Sequence, residues 1–318
     1  MQQIDPVLFA WLLKTTLQMS TPLVITALGG MFSERSGVVN IGLEGMMLTG
    51  AFAAAAGSHY TGNPWLGVLC AIAAGAGLGF IHALVCVKFK GNQIVSGTGI
   101  ILAGFGLTTV GLEVIWGRKG VSDSVTGLPN MVIPGIGQIP LIGGFLEVAI
   151  SSISPLVVVM FLLVPACYYV MYKTPLGLRI RSAGEDPSTL DTAGVDVDLT
   201  RMLAVVVSGA LAGLGGAHLS IGIENFFAKN MTAGRGFISL AALIFGNWTP
   251  IGCFLAGLFF GFLYGLQYFV ALQFPDLVAL SNFFRMIPFA VVIVTIAGIR
   301  RSIPPRAIGV PYEKEQRA

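Results

Sequence analysis

Phe237–Trp248 reads FISLAALIFGNW and runs straight into Thr249-Pro250. The stretch is apolar but short: twelve residues at 1.5 Å each cover about 18 Å of a hydrocarbon core roughly 30 Å thick. Three readings are open: a half-helix, a re-entrant segment, or a short or broken full crossing. The choice fixes the parity of everything after it, and so the side on which the chain ends. Broken helices persist in membranes only where they are buried in protein or line a cavity. The run is therefore a candidate for a pathway wall, with Phe245 and Asn247 at its end.

Its surroundings are membrane-like throughout. Of 318 residues 55% are hydrophobic and only 10% are charged, with a mean hydropathy of +0.83. Soluble domains carry about 25% charged residues, so the expected fold is an all-α polytopic membrane helix bundle. Candidate spans lie at about 7–31, 40–57, 65–87, 93–116, 154–172, 201–223, 250–272 and 282–299, giving 8–9 crossings with one short or broken helix. The apolar start lacks a preceding basic run, so it is read as a first span rather than a removed signal. Glycines spaced by four at Gly75/Gly79, Gly209/Gly213 and Gly257/Gly261/Gly265 predict close helix packing. No strong internal repeat is evident.

Charge decides the short run, because basic loops stay in the cytoplasm. If it crosses, the N-terminus is outside and the C-terminus cytoplasmic. Arg35, Lys88, Lys90, Lys173, Arg179, Arg181, Arg201, Arg300, Arg301, Arg306, Lys314 and Arg317 then share the inner side, against Arg118, Lys119, Lys229 and Arg235 outside. If it does not cross, the basic tail moves outward and the bias collapses. The short run is therefore taken as a crossing, with its GNWTP turn facing inward.

The longest polar passage, Lys173–Arg201 (KTPLGLRIRSAGEDPSTLDTAGVDVDLTR), lies on that inner side. Thr174-Pro175 is a helix start with a Thr cap, and Gly184 is its expected stop. Asp186-Pro187 starts a second short helix that Gly194 ends, and Asp198 is expected to cap the next span. Two short helices between membrane spans suggest a docking surface. The outer loop 117–152 is rich in Gly, Pro and Ser and reads as irregular, with a short interfacial helix near Phe145–Ile150. The tail 301–318 reads as an extended cytoplasmic end.

Ionisable groups inside apolar runs are functional or paired. Glu113 is compatible with an ion pair to Arg285 or Lys14 at similar depth. Asn40 and Glu44, one helical turn apart on a Gly/Ala-rich face, are candidate pathway residues, although Asn40 could instead cap the next helix. Gln93 and Ser96, and Glu224 and Asn225, are weaker candidates of the same type. His82 and His218 read as packing residues, as do Trp116, Trp248, Tyr264 and Tyr268. The four cysteines, Cys70, Cys86, Cys167 and Cys253, lie in apolar runs without CxxC spacing, so no metal or redox site is expected. The chain has no GxxxxGK[ST], HExxH or GxSxG, which leaves no ATPase, metalloprotease or esterase signature and no cofactor of its own. The membrane lipid is its expected surroundings, and nucleic acid is not an expected partner.

Five stretches resemble one family: ERSGVVNIGLEGMMLTGAFAA (Glu34–Ala54), GNQIVSGTGI (Gly91–Ile100), TPLGLRIRSAGEDPSTLDTAGVDV (Thr174–Val197), SGALAGLGGAHLSIG (Ser208–Gly222) and FISLAALIFGNWTPIGCFLAGLFFGF (Phe237–Phe262). They are similar to the permease subunits of bacterial ABC importers of the branched-chain amino acid and simple-sugar branch, nearest the sugar/nucleoside type. The resemblance runs from about Thr16 to Ile299. It implies one permease domain over 1–300 in the bacterial inner membrane. It also implies that Pro175–Val197 is a coupling loop docking on a cytoplasmic ATP-binding subunit, through Pro175, Leu176, Gly177, Arg179, Arg181, Gly184, Glu185, Asp186, Pro187, Ala193 and Gly194. A second, different permease subunit and an extracytoplasmic substrate-binding lipoprotein are implied as further partners, and nucleosides or simple sugars as cargo. The alternative is an ion-coupled secondary transporter using Glu44, Glu113 or His218. It would require an inverted repeat and a midplane ion site, and it leaves Lys173–Arg201 without a task.

Overall fold

The computed structural model describes residues 6–132, 135–138, 143–273 and 303–313, with Met286 and Ala290 as isolated positions. The expected last span, 282–299, and its Arg285 otherwise lie outside the described residues. Within them the regular elements are helices: α1 (Pro6–Arg35), α2 (Leu43–Thr61), α3 (Pro64–Ala83), α4 (Gln93–Trp116), α5 (Gly143–Ile150), α6 (Pro155–Lys173), α7 (Pro175–Glu185), α8 (Pro187–Thr192), α9 (Val197–Ala217), α10 (Arg235–Phe245) and α11 (Pro250–Gln273). α3 and α9 each continue into a π-helical turn, Leu84–Lys88 and His218–Glu224.

Five of these helices are long and apolar enough to cross a membrane: Pro64–Lys88, Gln93–Trp116, Pro155–Lys173, Val197–Glu224 and Pro250–Val270. α1 is longer still, at 30 residues, but more polar, and its position explains why. It packs against α9, α10 and α11 and is surrounded by protein, with Ser20, Thr21, Thr26 and Ser33 fully buried. Ser20 and Thr21 bond to the Leu17 carbonyl of their own helix, at 3.0 and 2.7 Å, and Ser33 bonds to Val38 O at 2.7 Å, while Thr26 has no hydrogen-bond partner among the described residues.

The glycine spacing becomes two seams. α3 meets α9 where Gly75 and Gly79 face Gly209 and Gly213, and a Cβ at Gly79 would lie 2.8 Å from the Val205 carbonyl oxygen. Gly257, Gly261 and Gly265 of α11 face Val24, Ser20 and Thr16 of α1 in the same way. Without a hydrophobic driving force between helices in lipid, such backbone approach supplies the dispersion contacts that hold the bundle.

Between α1 and α2 the chain folds back into the bundle instead of turning at its end. Asn40 Nδ2 donates to Ser208 Oγ at 3.0 Å. Ser208 lies seven residues, about 10 Å, along α9 from Arg201, which contacts α7. α2 therefore starts well inside the bundle. Its N-cap position is Gly42, so Asn40 is not the cap; its amide is committed to α9.

Two further expectations are corrected. Gly184 does not stop α7, which continues to Glu185 and ends at Asp186. The N-cap of α9 is Asp196, whose carboxylate accepts from Leu199 N at 2.9 Å, and Asp198 sits in the first turn. The caps at Thr174 and Asp186 and the left-handed Gly194 (φ +79°) are as expected. The loop 117–132 is also more ordered than its composition suggests. Ser122, Val125 and Leu128 each donate a backbone N–H, at 2.8 Å, to Phe227, Asn225 and Ile221, so 120–128 runs alongside 221–229.

Candidate functional site

The short run is a half-helix completed by a loop. α10 has 11 residues, about 16 Å. Residues 225–229 sit at the far end of the bundle beside 120–128, and the chain then descends to α10. Its N-terminus meets Glu44 in the first turn of α2. Glu44 Oε1 accepts from the Thr232 hydroxyl at 2.6 Å and from Gly234 N at 2.9 Å, and Oε2 accepts from Gly236 N at 2.6 Å. Glu44 is 1% exposed. A carboxylate at a helix N-terminus satisfies N–H groups that have no intrahelical partner and complements the dipole.

The other end of α10 reaches the α7 end. After Phe245 the turn places Asn247 and Trp248 at positive φ (+51° and +52°). The Trp248 indole Nε1 donates to Glu34 Oε2 at 2.6 Å, and Arg35 Nε donates to the Trp248 carbonyl at 2.8 Å. Ile303 N donates to Asn247 Oδ1 at 3.0 Å.

Arg35 is also where α7 attaches. Gly184 lies on the Arg35 carbonyl so closely that a Cβ would collide with it, which is the physical reason for glycine at this position. Glu185 faces Arg35 Nη1 at 3.9 Å. Arg201, 2% exposed, donates from Nη2 to the Ala183 carbonyl at 3.0 Å and from Nη1 to Val310 O at 2.9 Å. The segment 303–313 straps the joint, with Ala307 N on Gly184 O at 2.8 Å and Gly309 N on Gly37 O at 3.0 Å. On the α6 side, Gly177 packs on the Val170 and Met171 carbonyls, and Arg181 lies 5.0 Å over the Tyr172 ring. One face of α7 is thus tied down, while Leu176, Leu178 and Arg179 face outward, Leu178 being 58% exposed. Beyond it, Asp186 accepts from Ser188, Thr189 Oγ1 and Thr189 N at 2.6, 2.6 and 3.2 Å, and these bonds pull its carboxyl down to about 2. Pro187 begins α8 there, and Ala193 and Gly194 close it.

The pathway candidates divide into three places. Asn40, Gln93 and Ser96 gather around the in-folded segment: Gln93 Oε1 accepts from Val39 N at 2.7 Å, and His82 joins Ser96 Oγ at 2.9 Å to Val39 O at 3.0 Å. Glu44, Phe245 and Asn247 mark the two ends of α10. Asn225 is remote from both, at the far end, where its carbonyl receives Val125 N. Glu113 is exposed and lies 3.5 Å from Lys119; of its two expected partners, Arg285 lies outside the described residues, and Lys14 forms no ion pair with it among the described residues. Arg201, Glu34, Trp248 and Thr232 were not expected to matter. Arg201 carried a local signal, a cation in the first turn of an apolar span; Thr232 carried none.

Comparison with known proteins gives this arrangement its context. Residues 12–296 match the family described as branched-chain amino acid transport system / permease component. The chain belongs to that family. It is 39% identical over 314 residues to the guanosine ABC transporter permease protein NupQ of Bacillus subtilis, covering 96% of this chain and 97% of the relative. It is 38% identical over 307 residues to the nucleoside ABC transporter permease protein NupC of Lactococcus lactis, covering 93% and 95%. It is 40% identical over 264 residues to the putative glucose ABC transporter permease of Haloferax volcanii, covering 81% and 77%. No solved structure matches the chain. As a member of this family, with its five apolar spans, the chain is a multi-pass permease subunit.

Proposed function

We propose that this chain is the membrane subunit of an ATP-driven importer that carries nucleosides across the bacterial inner membrane. The observation that carries the reading is the α7 joint: a short helix bound on one face to α1, α9 and the 303–313 strap, with Leu176, Leu178 and Arg179 free on the other. In this reading the free face docks on an ATP-binding subunit, and the α7 end is cytoplasmic, with nine crossings and the N-terminus outside. The far end, including 120–128, receives the extracytoplasmic binding protein. A second, different permease subunit completes the pore, as the sugar/nucleoside type of the family implies.

The mechanics follow from the bonds. Closure of the ATP-binding subunits moves α7; Gly184 and Glu185 transmit the movement to Arg35, and Arg35 to the turn at Trp248. α10 is held at its other end by Glu44, so it tilts rather than slides. A movement at the cytoplasmic face thereby becomes a change in the wall at mid-bundle. Simple sugars are the second reading of the cargo, favoured by the identity to the Haloferax relative.

The test is uptake of radiolabelled guanosine into proteoliposomes holding the complete importer. Uptake is expected to require ATP, the ATP-binding subunit and the binding protein. Uptake that persists without the ATP-binding subunit and follows a proton gradient would overturn the reading in favour of a secondary transporter.

A further inference from the structure

A cavity of about 200 Å³ lies at the far end, between α1, the π-turn of α9, the loop before α10 and α11. Its lining includes Glu224, Phe226, Arg235 and Tyr268, together with the apolar Met19 and Leu219. Of the pathway candidates suggested by the sequence, Glu224 is among its lining residues, whereas Asn40, Glu44, Gln93, Ser96, Asn225, Phe245 and Asn247 are not. Its floor is the first residue of α10, directly beside Gly234 and Gly236, which bond to Glu44.

Arg235 is unusual here. It lies 5.2 Å over the Tyr264 ring, and its Nη1 donates to the carbonyls of Met231 and Thr232 at 3.0 and 3.3 Å. These contacts fix the guanidinium plane. A guanidinium held in one plane at the wall of a cavity is preorganised for a planar pair of acceptors. Phe226 and Tyr268 supply ring faces for a flat heterocycle. The Glu224 carboxylate accepts from N–H or sugar hydroxyl groups.

We propose that this cavity is the solute-recognition site of the permease, and that it is built for 6-oxopurine nucleosides. Arginine matches the adjacent O6 and N7 acceptors of such a base, whereas adenine offers an amino donor at the same position. The inference rests on the nucleoside reading above and adds to it the site and the base. Because Arg235 opens α10, the occupied cavity and the helix moved by α7 share one residue.

The test measures uptake of guanosine, inosine and adenosine by cells carrying the complete importer, normalised to the amount of permease in the membrane. Arg235→Lys keeps the charge but loses the planar fork, and it is expected to lower guanosine and inosine uptake about tenfold or more while adenosine falls less than about threefold. Glu224→Gln is expected to lower guanosine most, and Tyr268→Leu to lower all three nucleosides alike. If Arg235→Lys does not reach the membrane, Glu224→Gln decides by the same split. A parallel fall for all three nucleosides in Arg235→Lys and Glu224→Gln, or no fall, removes the site assignment while wild-type uptake leaves the importer reading standing. If the wild type carries none of the three, the nucleoside reading falls and the site with it.

Discussion

Glu34 and Glu44 are ten residues apart, both buried, and they hold opposite ends of the same short helix. Glu44 takes two backbone N–H groups and a hydroxyl at the N-terminus of α10, so its bonds reach the chain itself and fix that end in position. Glu34 takes one indole N–H, from Trp248, and its neighbour Arg35 divides its donors between the Trp248 carbonyl and the α7 joint. The first is an anchor and the second a shared linkage. The contrast shows how a half-helix can be fixed in the middle of a bundle and still respond at its end.

The largest effect is expected at the anchor. Glu44→Ala leaves three donors without an acceptor, two of them buried at about 1–3 kcal/mol each, against total stabilities of roughly 5–15 kcal/mol. Thermal unfolding of the detergent-solubilised protein should show a loss large enough to deplete the folded state, with Glu44→Gln in between. An unchanged midpoint for Glu44→Ala would remove the anchor from the account. Next comes the linkage: Gly184→Val places side-chain atoms against the Arg35 carbonyl. It should cut ATP-driven uptake at least about tenfold, because an Å-scale misplacement is enough for a loss of that order, while the protein stays inserted. Trp248→Phe removes the donor to Glu34 and should destabilise by about 1–3 kcal/mol, less than Glu44→Ala.

The smallest effects belong to exposed groups beyond the linkage. Glu185→Gln alters a 3.9 Å pair whose glutamate side chain is half exposed, and the expected change in stability is within about 1 kcal/mol. Asp186, held down to about 2 by Ser188 and Thr189, contributes to α8 above the ordinary carboxylate range and loses that contribution as pH falls from about 4 through 2. α8 protection measured by amide exchange should therefore be flat from pH 7 to about 4.

The helices were legible in the sequence because length, apolar runs and caps are local signals. Thr174, Asp186 and Pro250 open α7, α8 and α11 where the sequence places them. Local signals also misled. Gly184 before Glu-Asp-Pro looks like a helix stop, but its lack of a side chain serves a contact with Arg35 almost 150 residues away. Asp196 and Asp198 are both capping residues by type, and only the backbone distinguishes them. The Glu44 anchor was beyond reach, since Thr232, Gly234 and Gly236 lie some 190 residues along the chain. The pairing of 120–128 with 221–229 was hidden for the same reason, under a Gly- and Pro-rich composition.

In the proposed mechanism α10 is fixed at Glu44 and moved at Trp248. Nitroxide labels at exposed Phe237, near the anchor, and at exposed Ile251, just past the turn, can each be paired with one at exposed Leu102 on α4. Distances are then measured by electron resonance in the complete importer with and without ATP. ATP is expected to shift the Ile251 distance and to leave the Phe237 distance in place; equal shifts of both, or a shift at Phe237 alone, would overturn the mechanism.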